Sequence, residues 1–272
     1  MDGERVLAEA ADAYRVALGD RLLAAYALGS LAHGGFSALV SDVDLGLILD
    51  DPLMPGDGDA IRAIAEMEKS KGSALHERLS VFWGTPATLR GEIEGGRFPP
   101  LDRLDLLAHG RLLLGNDDAR RGLPAPGRRE LLVTGAEFAL ASLAGDDATE
   151  EILSPELLLG RGIRRVTRLV LLPVRFLSTA ATGSVGANPV AVAHYLENDR
   201  APSRPLVAAA LGWRTAPPAD DSHAAGLLRE QLLSLYLYYI DDHVERLDAI
   251  GESDLAASFR DWRRRLADTN AR

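Results

Sequence analysis

The chain has 272 residues, 47% of them apolar, a formal net charge of −10 and no cysteine. That composition suits a packed core in one large or two modest domains and argues against wholesale disorder. It excludes disulfides, thiol nucleophiles and cysteine-ligated zinc, while the acidic balance, without a strong basic stripe, speaks against nucleic acid and for a small or cationic substrate.

The opening stretch MDGERVLAEAADAYRVALGDRL reads as an amphipathic helix of mixed charge over residues 4–18, not as a signal peptide. Short apolar runs at 22–28, 43–49 and 78–83 predict strands, and residues 58–71 predict a helix between the last two. Proline and glycine cluster at 84–100 and again at 115–127, the second cluster being the better domain boundary. Beyond it the texture is helical. Segments 130–145, 154–182, 188–198, 203–212, 222–249 and 253–268 carry Leu, Ala and Arg at three-to-four spacing, with Pro173 expected to kink the second. Within it, Arg161, Arg164, Arg165 and Arg168 read as a solvated face paired with nearby acids. The most apolar stretch, LVLLPVRFL at 169–177, is too short and too charged to span a bilayer, so no membrane contact and a soluble, cytoplasmic protein are expected. The fold class is α+β: a mixed-sheet domain at 1–127 followed by an α-helical bundle at 128–272.

The chemistry concentrates in YALGSLAHGGFSALVSDVDLGLIL, residues 26–49. Asp42 and Asp44 sit at i and i+2 where a strand begins, so they face the same way. Two carboxylates so placed repel unless a cation lies between them, and Mg²⁺ takes carboxylates together with substrate phosphates. Upstream, Gly29 permits close backbone approach and Ser30 offers a hydroxyl, which together suit phosphate oxygens. A surface acidic strand edge is the alternative for the Asp pair taken alone. Glu77, read as leading the strand ERLSVFW, is the candidate third carboxylate, able to help bind ions or take a proton from an attacking hydroxyl. An exposed Glu paired with Arg78 or Lys71 is its plainer reading. Glu66, Glu68, Glu92 and Glu94 read as solvated faces, and His33 and His109 lack the spacing of a transition-metal site.

LGSLAHGG…SDVDLGLIL resembles the Gly-Ser…Asp-x-Asp signature of the DNA polymerase β-like nucleotidyltransferase superfamily. The resemblance extends to the aminoglycoside (3'')(9) adenylyltransferases, which modify streptomycin and spectinomycin. HERLSVFW, LLAHGRLLLGND at 106–117 and TRLVLLPVRFLSTAATGSVGANPVAVAHYLEN at 167–198 resemble further segments of that family. It implies an N-terminal nucleotidyltransferase domain that moves a nucleoside monophosphate, AMP from ATP or its equivalent from another NTP, to a hydroxyl of a small acceptor. It also implies two Mg²⁺ ions held by Asp42 and Asp44 with Glu77 as third carboxylate and base. Ser30 would hold the triphosphate with Ser41 beside it, and Arg200 or Arg204 of the bundle would lend positive charge to the phosphates.

One departure concerns the acceptor. The family's drug-gripping acids fall here near Pro189 and Ala193, with only His194, Tyr195 and Glu197 as polar neighbours. The stripe Asp241, Asp242, Glu245 and Asp248, or Asp146, Asp147, Glu150 and Glu151, could compensate by attracting amines, although a solvated face explains the stripe as well. A protein hydroxyl as acceptor, as in antitoxin-like enzymes, and a non-catalytic nucleotide-sensing domain are the competing functions. The oligomeric state is not legible in the sequence.

Overall fold

The apolar runs at the front of the chain build one mixed sheet. The computed structural model describes residues 3–270, apart from the side chains of residues 269 and 270. By internal contacts the chain divides into two units, Met1–Pro126 and Gly127–Arg272. In the first unit, helix α1 (Gly3–Leu18) leads into strand β1 (Leu22–Leu28), the one-turn helix α2 (Ser30–His33) and strand β2 (Val43–Leu49). Helices α3 (Asp57–Lys69) and α4 (Ala74–Glu77) cross to strand β3 (Leu79–Gly84), followed by α5 (Pro86–Leu89), α6 (Pro100–His109) and strand β4 (Arg111–Gly115). The strand order is β3-β2-β1-β4; β2 pairs parallel with β3, and β1 pairs antiparallel with both neighbours.

Strand β2 is apolar almost throughout because both its faces are covered. On one face Val43, Leu45, Leu47 and Leu49 join Ala25, Ala27, Val81 and Trp83 beneath Val6, Leu7, Ala10 and Tyr14 of α1 and Ile61 and Ile64 of α3. On the other, Ile48 joins Tyr26, Leu28 and Phe82 against Leu89 and Leu106. The central strands occupy the residues expected for them, but the third starts one residue later. The physical reason is a cap. Ser73 accepts the His76 amide through its side chain and so nucleates α4, which takes Glu77 into a helical turn. Glu77 therefore does not lead a strand, contrary to expectation. Strand β4 was not expected; it is a short edge strand with Leu112 and Arg111 exposed, so it carries little alternation to betray it.

The second unit is helical, and no strand follows residue 115 among the described residues. It comprises α7 (Arg128–Leu143), α8 (Asp146–Leu153), α9 (Pro155–Gly160), α10 (Ile163–Thr182), α11 (Asn188–Glu197), α12 (Arg204–Trp213), α13 (Asp221–Ala249) and α14 (Ser253–Asn270). The expected helix 154–182 is thus two helices, separated at Arg161 and Gly162, and α10 runs through Pro173. Helix α10 lies at the centre, touching α7, α9, α11, α12 and α13. Of the arginines expected on its solvated face, Arg161 and Arg165 do pair with an acid, the buried Glu151. No helix among the described residues is long and apolar enough to cross a membrane.

Helices α13 and α14 are joined by Tyr236, Tyr239, Phe259 and Trp262, all fully buried. Aromatic side chains of this kind bury roughly 150–250 Å² each and dominate such a seam. His243 is buried among them, stacked on Phe259 with ring centroids 5.8 Å apart. Burial lowers its pKa below the ordinary 6.5, and the Asp242 carboxylate, 3.3 Å from its Nδ1, offsets this only in part. Burial opposes the charge of Asp242, but the nearby His243 ring and the hydrogen bonds from Arg246 outweigh it and hold that carboxyl below its ordinary 3.8. The unfolded chain therefore binds more protons at His243 than the folded one just below pH 6.5, so stability falls as pH drops from there. The Asp242 contribution is lost only at lower pH, below its ordinary 3.8. His243→Phe keeps the ring stack and should flatten the upper part of the profile of unfolding midpoint against pH. Coincident profiles for the two proteins would remove His243 as the titrating group.

Candidate active site

Asp44 is the first acid placed by the sheet. It stands opposite Leu28 of β1 and Ser80 of β3. Alternation along β2 turns it to the face that carries Ile48, Leu28 and Phe82, away from the core under α1. Asp42 precedes β2 by one residue and has the parity of Asp44 in the sequence. Both are half-buried.

Gly29 follows Leu28 directly and meets Asp44. Its backbone has φ 60° and ψ −148°, a conformation that side-chain-bearing residues rarely adopt. A Cβ built on Gly29 would lie 2.3 Å from Asp44 Oδ2, so the glycine is required sterically as well as conformationally. Its N–H is not available to a phosphate: it donates to Asp105 Oδ2 at 2.5 Å. Asp105 is a buried residue of α6, and sequence reasoning passed over it. The one signal was its position beside Leu106 on the buried side of an amphipathic helix, where an Asp is almost never found without a partner.

Ser30 opens α2 and is half-buried, and the Gly29 carbonyl accepts the amides of Ala32 and His33. Across the same region the His33 and His109 rings meet edge to face with centroids 5.7 Å apart. Ser41 lies in the loop just ahead of Asp42. It is buried, and its hydroxyl oxygen accepts the Ser37 amide at 3.0 Å, closing the turn that delivers Asp42. Glu77 is exposed at the end of α4, and the residue in register with Asp44 on β3 is Ser80. Arg78 does not pair with Glu77; its guanidinium donates to the carbonyls of Ala38 and Leu39 and ties down the loop ahead of Asp42.

A different cluster offers ligand atoms of Glu9, Glu68 and His76 within 4.8 Å of one another. It contains none of the acids expected to hold Mg²⁺. Glu68, read as a solvated residue, is in fact buried, and Lys71 Nζ lies 2.6 Å from its carboxylate and 3.9 Å from that of Glu9. His76 completes the network through Glu9 at 3.0 Å and Ser73 at 2.6 Å. With the lysine present, these groups pair with one another and join α1, α3 and α4.

In the second unit, Arg200 is exposed after α11, whereas Arg204 binds Asp199 at 3.1 Å and the Leu196 carbonyl at 2.7 Å. Pro189, Ala193 and His194 are exposed, while Tyr195 is buried with its hydroxyl donating to the Pro202 carbonyl. The acidic stripe is largely neutralised: Asp241 is held by Arg263, Asp242 by Arg246 and Asp248 by Arg260. Asp146, Asp147 and Glu150 are exposed and line a groove of about 350 Å³ with Thr149, Leu153 and Ser154.

No protein-family model matches the sequence, and no curated protein matches it. The fold does have a relative of known structure. It is similar to spectinomycin adenyltransferase AAD(9) from Enterococcus faecialis, whose crystal structure was solved with ATP and spectinomycin. The TM-score is 0.56 at 16% identity, over 85% of this chain and 99% of that one. The chain thus has the fold of a nucleotidyltransferase domain with a helical C-terminal region.

Proposed function

We propose that the chain is a Mg²⁺-dependent nucleotidyltransferase that moves a nucleoside monophosphate, with ATP as the first donor to test, to a hydroxyl of a small acceptor and releases pyrophosphate. The observation that carries this reading is the packing of the Gly29 backbone on the Asp44 carboxylate. It joins a turn fit for phosphate to an acid fit for a hard cation, which neither motif establishes alone. The AAD(9) structure with ATP supports an NTP as co-substrate.

The donor set fits Mg²⁺. Asp42, just before β2, and Asp44, within it, offer hard oxygen ligands two residues apart, both half-buried, and two like charges so close in the chain favour a cation between them. When bound, divalent ions withdraw charge from the phosphoryl oxygens and offset the charge that develops in transfer. The residues do the rest. Asp42 and Asp44 hold the ions, and the Ser30 hydroxyl donates to a phosphate oxygen at the turn. Ser41 maintains the loop that positions Asp42. Glu77 enters as the base on its proximity to β3 in sequence alone. Of the two bundle arginines, Arg200 is the one proposed for anion contact, because Arg204 is already engaged.

The acceptor is where the reading departs from the drug-modifying enzymes. Transferring several ammonium groups from water needs several available carboxylates. Helix α11 has none at Pro189 or Ala193, and arginines already hold Asp241, Asp242 and Asp248. Weak or no modification of streptomycin and spectinomycin is therefore expected. The measurement incubates the protein with ATP, Mg²⁺ and each drug, then follows pyrophosphate and the mass of the product. Efficient modification of either drug would overturn the acceptor claim. Absence of pyrophosphate release across a panel of NTPs and hydroxylated acceptors, proteins included, would overturn the transferase reading itself.

A further inference from the structure

We infer that Asp105 is a positioning residue for the nucleotide-binding turn, holding the Gly29 amide beside Asp44 so that the turn is set before a nucleotide arrives. The inference rests on the nucleotidyltransferase reading for its function but on the packing of the first unit for its geometry. Three observations carry it. The Asp105 carboxylate is buried on α6 and accepts the Gly29 amide at 2.5 Å. Gly29 holds a positive φ of 60°. The Cα of the same glycine leaves no space for a Cβ before Asp44 Oδ2, at 2.3 Å. One peptide is thus gripped on its N–H by one carboxylate and pressed on its Cα by another.

Glycine reaches this conformation without steric cost but is equally free to leave it, so holding the turn there falls to the surrounding groups. A charge-assisted hydrogen bond donated by the amide to a buried carboxylate is suited to that task, being stronger than a neutral one. Helix α6 is itself fixed at this point, since the Gly110 amide donates to the Asp105 carbonyl at 3.0 Å and the Arg120 guanidinium donates to the Leu106 and Gly110 carbonyls. The rigidity of the helix end is thereby passed to the turn that carries Ser30. Preorganised groups of this sort act in binding and catalysis because they need no rearrangement when substrate arrives. Asp105 does not touch the reactants in this scheme. It determines how much of the protein already has Ser30 and Asp44 in their working places.

The test compares Asp105→Ala and Asp105→Asn with the wild-type chain in two measurements. In transfer assays with Mg²⁺ and ATP, Asp105→Ala is expected to raise KM for ATP about ten- to a hundredfold, the scale of a lost hydrogen bond to a charged group, with kcat at saturation far less changed. Asp105→Asn keeps an acceptor oxygen in the same place and should recover most of the loss. In ¹H–¹⁵N spectra the Gly29 amide should resonate downfield in the wild type, move upfield in Asp105→Ala and lie between in Asp105→Asn. A lowered unfolding midpoint with KM and the Gly29 resonance unchanged would overturn the inference and leave Asp105 a packing residue. Should Asp105→Ala fail to fold, the Asn variant alone decides, since its smaller KM and amide shifts must still appear. If the wild type shows no Asp44-dependent binding of Mg²⁺ and ATP, the nucleotidyltransferase reading falls. The Gly29 resonance then still decides whether Asp105 holds the turn.

Discussion

Replacing Asp44 by Asn is expected to lower the transfer rate by about a hundred- to a thousandfold or more, the scale of losing one preorganised electrostatic group at a reacting centre. Asn has the shape of Asp but no charge, so the variant isolates the electrostatic contribution. Asp42→Asn should act similarly, because the proposal gives both aspartates to the same metal set. Folding should hardly suffer. Removing one of two like charges relieves repulsion in the metal-free protein, so the unfolding midpoint should hold or rise slightly. The measurement pairs pyrophosphate release at saturating Mg²⁺ with thermal unfolding in EDTA. Retained turnover in either variant would remove that aspartate from the proposed metal set. Lost turnover together with a collapsed unfolding midpoint would show a structural role instead.

Gly29→Ala should be nearly as damaging to activity, for a steric reason. The new methyl group would lie 2.3 Å from Asp44 Oδ2 and 3.2 Å from its Cγ, so the carboxylate has to rotate out of place. Alanine must also adopt φ 60° there, which adds on the order of 1–3 kcal/mol of backbone strain. The variant is therefore expected to lose stability by about that amount and to lose most of its transfer rate. Because its effect on turnover runs through Asp44, the double variant with Asp44→Asn should transfer no more slowly than Asp44→Asn alone. Residues that act as a unit show such non-additivity. Multiplying effects in the double variant would separate the glycine from the acid and dissolve the site as drawn. A Gly29→Ala protein with full activity would do the same more directly.

What could be read from the chain alone was what local geometry dictates. The strands at 22–28 and 43–49, and the face that Asp44 takes in the second, follow from period-two alternation, which any extended segment must obey. The resemblance to nucleotidyltransferases rested on the same short-range pattern, a Gly-Ser turn and an Asp-x-Asp pair, and the fold agrees with it. Where local preferences competed, the reading slipped: Glu77 was placed on a strand, but the Ser73 cap draws it into α4. That Ser41 is buried, with its hydroxyl closing a turn on Ser37, is a tertiary fact that spacing does not show. The acidic stripe of α13 looked ready for a cation in one dimension, but Arg263, 22 residues away, already holds Asp241. Asp105 is the extreme case, joined to Gly29 across 76 residues. Nothing in periodicity or spacing links those two positions. Their meeting depends on α6 packing Leu106 against Tyr26 and Leu28 on one face of the sheet. Local sequence determines which face a side chain takes, whereas the packing of layers against that face decides which distant group it meets.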